Sequence, residues 1–440
     1  MKLKKFYLDR NKMKYFFKFI LILTFVLAFS ESKASTLLES LRSAYLNNSK
    51  LNAERANMRA SREEKREAIS EFLPSVTISG YRSSQDNIKG SSEDTFLKPK
   101  EQSMIIEQKI FQGFGGVANL QKKRKGQKLG ELKLKKVEQE ILFEAAKAHT
   151  EILLNRKKVN INLINVDLLE RQVETDQNRL EKGEINLTDL AQSESSLAGA
   201  RAKLIAAEND LVTSKSNFEK IIGKKSTDNI QEIEKINLNL PQSLATAYRI
   251  ANSENPDLQI AFLEYEQSKL DVTIAGSELS PSATLSYKIA EQDNISSTIQ
   301  ERTQKTVTAT ATWSLFAGGK NAFNYRKFQE IKNQKELLLE DRKKETKTEV
   351  VNAWSSYQSS KSVLDSIESQ VKAAEIANEG ITIEYESGSS RTTLEVIQSR
   401  SILLNSRINL ASSERNFLIS QFNLLSAVGR LTSKHLNLKQ

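Results

Sequence analysis

The sequence predicts a mainly α-helical chain with a β-barrel portion, built from two copies of one structural unit. Three observations indicate this fold class. Apolar residues recur every seven positions on both sides of Gly183. The same pattern returns 205 residues later, around Gly388. Before each of these stretches, apolar and polar residues alternate with a period of two. The seven-residue period is typical of helices that coil around each other, and the two-residue period is typical of β-strands.

The seven-residue pattern predicts a helical hairpin. A sustained repeat of this kind keeps one apolar stripe facing a partner only if the helices wind around each other. Gly183 can adopt the left-handed conformation that ends a helix, and Thr188 can cap the next helix. The apolar positions are Ala145, Ile152, Val159, Val166, Val173, Leu180, Leu190, Leu197, Leu204, Leu211 and Phe218.

A second hairpin keeps the register of the first. Gly388 follows Gly183 by 205 positions, and each apolar position has an equivalent 205 or 206 residues downstream. Agreement at eleven positions and a glycine indicates an internal duplication. The equivalent positions are Val350, Tyr357, Leu364, Val371, Asn378, Tyr385, Val396, Leu403, Leu410, Phe417 and Leu424.

Residues 1–34 are predicted to be a signal peptide, whether translation begins at Met1 or at Met13. Several lysines precede a short apolar run at 19–29, and small residues stand before a cleavage site after Ala34. This run is shorter than the ~20 residues of a membrane-spanning helix. Removing 1–34 removes eight Lys/Arg and two Asp/Glu, a net +6, which leaves +4 of the formal +10. So small a net charge disfavours nucleic-acid binding.

The remaining composition excludes several kinds of site. The chain has no cysteine, so it carries neither disulfides nor a lipid-anchored N-terminal cysteine. Its two histidines, His149 and His435, are too few for a histidine-based metal or catalytic site, and we expect His149 to have a surface or packing role. The basic run beginning at Lys122 lacks interleaved aromatic residues and is interpreted as a solvated helix face.

Each unit is predicted to begin with a helix that a proline ends. The first such helix covers 37–72, before Pro74, and the segment returns 207 residues later, before Pro281. Two alternating runs follow in each copy, separated by a polar stretch, and the second run enters a glycine-rich corner. Alternation over about ten residues is the signature of a membrane barrel strand, although a half-buried soluble sheet gives the same pattern.

The clearest alternating run predicts which side chains would face lipid. Threonine and serine interleave with apolar residues in this run, so one face is apolar and the other polar. Two strands in each copy give four per chain, too few to close a barrel, and lipid does not tolerate an open edge. Several chains are therefore expected to share one barrel. The predicted lipid-facing residues are Val307, Ala309, Ala311, Trp313 and Leu315.

The long helices are predicted at 118–182 and 321–387, each ~97 Å long at ~1.5 Å per residue. Two shorter helices in each unit, such as 37–72 and 188–222, together match one long helix in length. We expect the short helices to lie end to end beside the long one, which gives a cylinder wall of uniform height.

These elements predict five segments along the chain. The signal peptide is followed by a first structural repeat at 35–223 and by a linker at 224–241. A second structural repeat covers 242–431, and a C-terminal tail covers 432–440.

The order of these elements resembles the TolC family of outer-membrane export channels. The resemblance covers 35–431 and is sharpest at Tyr385–Thr392 and Asn416–Leu431. It implies a homotrimer with a shared twelve-stranded transmembrane β-barrel and a tunnel of helical hairpins that crosses the periplasm. It also implies docking with a periplasmic adaptor (membrane fusion) protein and an inner-membrane transporter of ABC, RND or MFS type, for efflux or type I protein secretion.

The resemblance also implies a constriction at the inner end of the tunnel. Carried over by position, Tyr385 and Arg391 of the second hairpin would meet Thr188 and Asp189 of the first. Such an Arg–Asp pair is worth ~1–3 kcal/mol if partly desolvated, and ~0–1 kcal/mol as a surface ion pair. One residue is inserted between Gly388 and Arg391.

Further positions at this end follow from the same resemblance. Of the two acidic rings in the family's pore, the first position is Glu395 and the second falls on Gln398. The adaptor is expected to dock on the hairpin tips, at Gly183, Leu187 and Gly388.

The sequence predicts a passive channel and not an enzyme. It offers no nucleophile–base pair, phosphate-binding loop or metal cluster, and no cofactor is expected. The alternative is an exported trimeric coiled-coil structural protein or adhesin. The duplication disfavours this alternative, because a stalk does not need two strand pairs separated by a long hairpin.

Overall fold

The computed structural model describes residues 36–87, 95–224, 231, 238–296, 298–387 and 391–438 of the chain. The predicted signal peptide at 1–34 and most of the predicted linker at 224–241 lie outside these residues.

The first repeat consists of helices and strands in the predicted order. Residues Gly115–Glu181 form a single helix of 67 residues, ~100 Å long. Two short strands, Gln85–Asn87 and Thr95–Leu97, pair antiparallel with each other in a separate two-stranded sheet. The elements are α1 (Leu37–Asn47), α2 (Ser49–Ser70), β1 (Ser75–Arg82), β2 (Gln85–Asn87), β3 (Thr95–Leu97), β4 (Lys100–Gln112), α3 (Gly115–Glu181) and α4 (Leu187–Ile222).

The second repeat has the same plan and a long helix of the same length, 67 residues. Its elements are α5 (Leu244–Glu254), α6 (Pro256–Ser277), β5 (Ser282–Ser296), β6 (Ile299–Thr312), α7 (Lys320–Glu386) and α8 (Thr393–Ala427). The internal duplication expected from the sequence is therefore present in the fold.

The predicted single helix at 37–72 is two helices. Asn48 has an extended backbone, and its side-chain oxygen accepts a hydrogen bond from the backbone N–H of Leu51, so it caps α2. In the second repeat Asn255 does the same for α6, where Pro256 occupies the first turn. A side-chain cap satisfies a backbone donor that the helix start leaves unpaired, which makes the break stable.

The same two asparagines join the short helices of each repeat. Asn48 Nδ2 donates to the carbonyl of Ile221, near the end of α4, at 2.9 Å. Asn255 Nδ2 donates to the carbonyl of Ala427, at the end of α8, also at 2.9 Å. The C-terminal helix of each repeat therefore ends against the break in the N-terminal helix pair, beside the long helix.

Four strands form one antiparallel sheet in the order β1-β4-β5-β6. Its register places apolar residues of all four strands on one face, since Val76 pairs with Ile106, Ile106 with Tyr287 and Tyr287 with Val307. The neighbouring row on that face contains Ile78, Met104 and Ile289.

The opposite face of the sheet carries mainly polar side chains. One row contains Ser75, Glu107, Ser286 and Thr308. Both faces and both edge strands, β1 and β6, are largely exposed in the single chain. Strand β6 ends at Thr312, so Trp313 and Leu315, which were predicted to lie on this strand, are beyond its end. The Trp313 indole donates to the Leu279 carbonyl at 3.1 Å, which turns this side chain towards the end of α6.

The main hydrophobic core lies where α1, α3, α4 and α8 meet, away from both the sheet and the hairpin turns. Leu41, Ile152, Phe218 and Phe422 are among its buried side chains. The tail after α8 is part of this core, because Leu431, Leu436 and Leu438 are buried in it.

His149 is fully buried in this core. Its Nδ1 lies 2.9 Å from Ser40 Oγ, and its ring lies beside Phe218. Among the described residues, His149 Nε2 has no hydrogen-bond partner.

The hairpin helices pack through small and polar side chains as well as through the predicted apolar ones. The residues of α4 buried against α3 include a second seven-residue series: Ser193, Ala200, Ala207 and Ser214. The facing series on α3 is Asn155, Asn162, Leu169 and Asp176, and all four are buried. Small side chains let the two helix axes approach closely, and the polar members require internal hydrogen bonds.

The basic run on α3 is less solvated than expected. Lys122 pairs with Asp271 and Lys125 with Glu266, both on α6, at 2.5 and 3.3 Å. Lys123 pairs with Glu64 on α2 at 2.9 Å. These lysines therefore bridge the first repeat's long helix to a helix of each repeat.

Candidate functional site

The turns of both hairpins lie at the same end of the chain, and the predicted site residues surround them. In the first turn, Asn186 caps α4. Its side chain accepts from the N–H of Asp189 at 3.0 Å, and the Asp189 carboxylate accepts from the N–H of Asn186 at 3.4 Å. This reciprocal pair is a capping box. The prediction that Thr188 caps this helix is wrong, since Thr188 lies inside the first turn of α4.

The first turn also carries an ion pair. Arg179 Nε donates to Glu184 Oε2 at 3.2 Å. The chain reverses through Gly183, whose φ of +73° is left-handed, and no atom lies near the position of a Cβ there. Leu187 is 71% exposed. The first hairpin tip therefore presents an apolar side chain and an open backbone to the surroundings.

The second turn has its own capping box and ion pairs. Thr392 caps α8, and Glu395 accepts from the N–H of Thr392 at 2.8 Å. Arg391 donates to Glu384 Oε2 at 2.6 Å and to Glu395 Oε1 at 3.0 Å. The hydrogen bond from the Thr392 backbone and then the Arg391 guanidinium hold the pKa of Glu395 below its usual value. Glu395 therefore stays ionised at neutral pH.

Within one chain, the Arg391 guanidinium donates to Glu384 and Glu395 of its own hairpin. A contact of Arg391 with Thr188 or Asp189 stays a prediction for the assembled entrance. Gln398 is exposed on α8. Gly388 lies outside the described residues.

Tyr385 contacts the first hairpin, but through a residue that was not predicted. Its hydroxyl donates to Asp176 Oδ1 on α3 at 3.2 Å. Asp176 is fully buried and accepts two further hydrogen bonds, from Gln172 Nε2 at 3.0 Å and from Ser193 Oγ at 2.5 Å. An ionised carboxylate only accepts hydrogen bonds, and all three neighbours can donate. The Asp176 carboxylate is thus held by groups from three helices.

Two more residues of the second hairpin extend this cluster. Tyr385 OH lies 3.0 Å from Thr393 Oγ1 of α8, so Thr393 donates to the tyrosine oxygen when the tyrosine donates to Asp176. Arg400 of α8 donates to Gln172 Oε1 at 3.3 Å, which fixes the orientation of that amide. Burial lowers the pKa of the Arg400 guanidinium, and the charges of Glu386 and Asp176 partly offset this. We call these side chains the Asp176 cluster; its members are Gln172, Asp176, Ser193, Tyr385, Thr393 and Arg400.

One further cation completes the surroundings of Tyr385. The Arg179 guanidinium lies 4.9 Å from the centre of the tyrosine ring, within the range of a cation–π interaction. Arg179 also forms the ion pair of the first turn, so one side chain contacts both hairpin ends.

The sequence contained one signal for this cluster. Asp176 stands on the seven-residue series of buried positions on α3, seven residues after Leu169. A carboxylate at a buried heptad position requires partners, and Ser193 occupies the corresponding series on α4. Neither residue belongs to the apolar repeat, and for this reason the apolar pattern did not reveal them.

Among the described residues, no group of His, Asp and Glu side chains is arranged to hold a metal ion. None of the helices described combines the length and the apolar character needed to cross a membrane.

Comparison with known proteins identifies the family. The family model for "Outer membrane efflux protein" matches residues 40–224 and 247–430, which is most of the chain and both repeats. The chain belongs to this family. As an outer membrane efflux protein it is a channel component and not an enzyme, and the predicted resemblance to the TolC family is confirmed.

Two relatives and one solved structure illustrate the similarity. The outer membrane efflux protein BepC of Brucella suis biovar 1 (strain 1330) is 25% identical over 94% of this chain and 90% of its own length. The outer membrane protein TolC of Escherichia coli (strain K12) is 21% identical over 92% of this chain and 85% of its own length. The CmeC outer membrane channel of Campylobacter jejuni is 13% identical and shares the fold with a TM-score of 0.82, over 90% of this chain and 86% of that chain.

The family places this outer membrane efflux protein in the cell outer membrane, extending into the periplasm. The predicted location is therefore confirmed, and the predicted fold class agrees with the solved channel. The alternative of a structural protein or adhesin is not favoured.

Proposed function

We propose that three copies of this chain form one continuous channel for efflux or type I protein secretion. The channel would work with a periplasmic adaptor protein and an inner-membrane transporter. The observation that carries this proposal is the four-stranded sheet with two open edges, joined to two helices of 67 residues, each ~100 Å long, in a duplicated chain.

The sheet geometry supports a ring of chains. Every neighbouring pair in the order β1-β4-β5-β6 is antiparallel, so the edge strands β1 and β6 run in opposite directions. The β6 edge of one copy can therefore pair antiparallel with the β1 edge of the next. Because the two edges differ, this contact is heterologous and closes into a ring by rotation. Three copies give twelve strands, the number that the family resemblance implies.

The apolar face of the sheet is the face we assign to lipid. Val307, Ala309 and Ala311 lie on it with apolar residues of the other three strands. The threonines of β6 lie on the opposite face and would line the water-filled lumen, as in other membrane barrels. Trp313 and Leu315, exposed beyond the end of β6, would lie at the periplasmic boundary of the bilayer, where aromatic side chains are favoured.

The hairpin ends are the proposed periplasmic entrance and docking site. Thr188, Asp189, Arg391, Glu395 and Gln398 lie at this end and would surround the opening. Glu395 supplies one ring of negative charge and Gln398 supplies none, so the entrance would discriminate weakly between cations and anions.

The hairpin tips are the proposed docking surface for the adaptor. The exposed side chain of Leu187 and the open backbone at Gly183 can receive a helical hairpin of the adaptor, and Gly388 would lie at the equivalent tip. The inner-membrane transporter, of ABC, RND or MFS type, would supply the energy and the substrate selection.

Sizing and conductance together test the channel. We expect the purified protein in mild detergent to have the mass of three chains and to give single-channel currents in planar lipid bilayers. A monomer without conductance would contradict the proposal. A trimer without conductance would instead support the structural-protein alternative.

Docking has a separate test. Leu187→Asp places a charge on the exposed tip, and Leu187→Ile is the matched control that keeps the surface apolar. We expect the aspartate variant to lose export in cells while its trimer mass and its conductance stay unchanged. Normal export by that variant would exclude the tip as the adaptor site.

A further inference from the structure

A cavity of about 1120 Å³ lies where the sheet meets the helices of the second repeat. Its wall includes residues of β4, β5 and β6, the end of α6 and the start of α7. Three lysines and one carboxylate, Glu278, line this cavity, so three positive charges against one negative charge leave a net +2. We call it the basic cavity; its lysines are Lys109, Lys320 and Lys327.

The basic cavity opens on the polar face of the sheet. Lys109 pairs with Thr284 of β5, and Thr284 pairs with Thr310 of β6, so these three side chains share one face. This is the face that carries the threonines of β6 and that we assign to the lumen. The cavity would therefore open into the water-filled duct where the barrel joins the helical tunnel.

A contact with α6 helps to fix which face of α7 lines the cavity. Asn324 Nδ2 donates to Glu278 Oε2, at the end of α6, at 3.2 Å. Lys320, Phe323 and Lys327 line the cavity beside this contact and have the spacing of one helix face. Phe323 is 64% exposed, so an aromatic ring lies between two of the lysines and is accessible from the cavity.

The positive charges of the basic cavity are not neutralised within the described part of the chain. None of the ion pairs there includes Lys109, Lys320 or Lys327, and the carboxylate of the cavity accepts from an amide instead. In the first repeat, by contrast, Lys122 stands 205 positions before Lys327 and pairs with Asp271 at 2.5 Å. The lysines of the cavity are thus available to an anion.

We propose that the basic cavity is a binding site for aromatic organic anions that pass through the channel. A carboxylate, sulfonate or phosphate group of the ligand would lie between the lysines, and its aromatic ring would pack on Phe323. This inference rests on the proposed channel function and adds a preferred class of substrate to it.

The basic cavity acts separately from the entrance because the two are far apart. Lys320 begins α7, and Glu395 lies beyond the other end of this 67-residue helix, ~100 Å away. Exposed charges in physiological salt interact over only ~8 Å. The negative ring at the entrance therefore does not cancel the attraction of an anion to the cavity. Because each exposed lysine contributes little, a bound anion exchanges readily and reduces the current without stopping export.

Block of single-channel currents tests the site. The probes are two dianions: naphthalenedisulfonate, which is aromatic, and sulfate, which is not. The triple variant Lys109→Gln, Lys320→Gln and Lys327→Gln removes the positive charges. The triple variant Lys109→Arg, Lys320→Arg and Lys327→Arg is the matched control that keeps them. We expect naphthalenedisulfonate to block the wild type and the arginine variant severalfold more strongly than it blocks the glutamine variant.

Phe323→Leu tests the aromatic contact, since it keeps an apolar side chain and removes the ring. We expect this variant to be blocked severalfold more weakly than the wild type by naphthalenedisulfonate and equally by sulfate. An equal block of Phe323→Leu and the wild type by naphthalenedisulfonate would exclude the preference for aromatic anions.

Three results would overturn the binding site itself: a wild-type current that naphthalenedisulfonate does not reduce, an undiminished block in the glutamine variant, or loss of the trimer mass in that variant. The last result would show that the lysines pair with a neighbouring chain and serve assembly. A wild-type trimer without any conductance would instead contradict the channel function, so the two failures are distinguishable.

Discussion

Acidification should destabilise this protein through one histidine. Burial, with a smaller contribution from the positive charge of Arg156, lowers the pKa of His149 from 6.5 to about 4. Between these two values the unfolded chain binds a proton that the folded chain excludes, so stability is complete above the unfolded pKa and falls as the pH decreases. Using ~1.4 kcal/mol per pKa unit, the loss per chain is about 2 kcal/mol between about pH 7 and pH 5, and about 3 kcal/mol by about pH 4.

Carboxylates with lowered pKa values do not hide the effect of His149 on stability in this pH range. Glu254 and Glu266 have lowered pKa values, the first chiefly through its hydrogen bond to Arg430 and the second chiefly through its hydrogen bond to Lys269. Their contribution to stability is present above their unfolded pKa of ~4.3 and is lost only at lower pH. The decrease between about pH 6.5 and pH 5 therefore belongs to histidine.

Because the chain has only two histidines, one variant of each shows which histidine causes the loss of stability on acidification. Thermal unfolding in mild detergent, at one fixed protein concentration, gives the midpoint at several pH values. We expect His149→Gln to unfold at nearly the same temperature from about pH 7 to about pH 5. The partly buried His435 is the control, and His435→Gln should keep the wild-type pH dependence. An equal pH dependence in His149→Gln would refute the reasoning.

Three further predictions concern local structure. Gly429→Ala should prevent assembly, since φ at this position is +82° and a Cβ would collide with the backbone between α5 and α6. Gly183 has a φ of +73° with open space around it, so Gly183→Ala should lower stability by only ~1 kcal/mol through backbone strain. Assembly of both variants to equal yield would contradict this. Asn186→Ala removes the cap of α4 and should lower stability by ~1 kcal/mol in thermal unfolding, and an unchanged midpoint would exclude a role for the cap. In the membrane, a cysteine at Thr308 should react with a membrane-impermeant thiol reagent and one at Val307 should not. The reverse result would show that the lipid-facing and lumen-facing sides of the sheet have been assigned the wrong way round.

The hairpins and strands could be predicted from the sequence because their periods are long and regular. Eleven heptad positions on each hairpin, nearly all apolar, and an alternating run ending in a glycine-rich corner specify helix and strand with little dependence on distant residues. The register of β6 pairs Val307 with Tyr287 of β5, so the apolar residues of the two alternating runs lie on the same face of the sheet.

The breaks in the N-terminal helices were missed, although part of the signal was visible. Pro256 disfavours a helical backbone at Asn255, and an asparagine before a proline at the helix start is a typical cap. Asn48 has no such proline, and besides its local cap its side chain donates to the Ile221 carbonyl of α4, which is 173 residues away. Local propensity alone could not reveal that contact.

The candidate site was the least predictable part. Tyr385 was expected to meet Thr188 and Asp189, whereas within one chain its hydroxyl donates to Asp176, which is 209 positions away on a largely polar heptad series. A search for apolar residues passes over serine, asparagine and aspartate at buried positions, even where they repeat every seven residues. Arg391 was assigned across hairpins from the family resemblance, whereas within one chain it pairs with Glu384 and Glu395 of its own hairpin.

The joint at Asn48 bears on how such a chain could originate. In each repeat the final helix stops against the break in the opening helix pair, at Asn48 in one copy and Asn255 in the other. The first and last residues of one repeat therefore lie close together, separated only by the length of the short helix α1 in the first repeat or α5 in the second. A unit with adjacent ends can be copied in tandem without threading the chain or lengthening a connection. A single ancestral gene segment, doubled once, would then have produced both halves of the present wall.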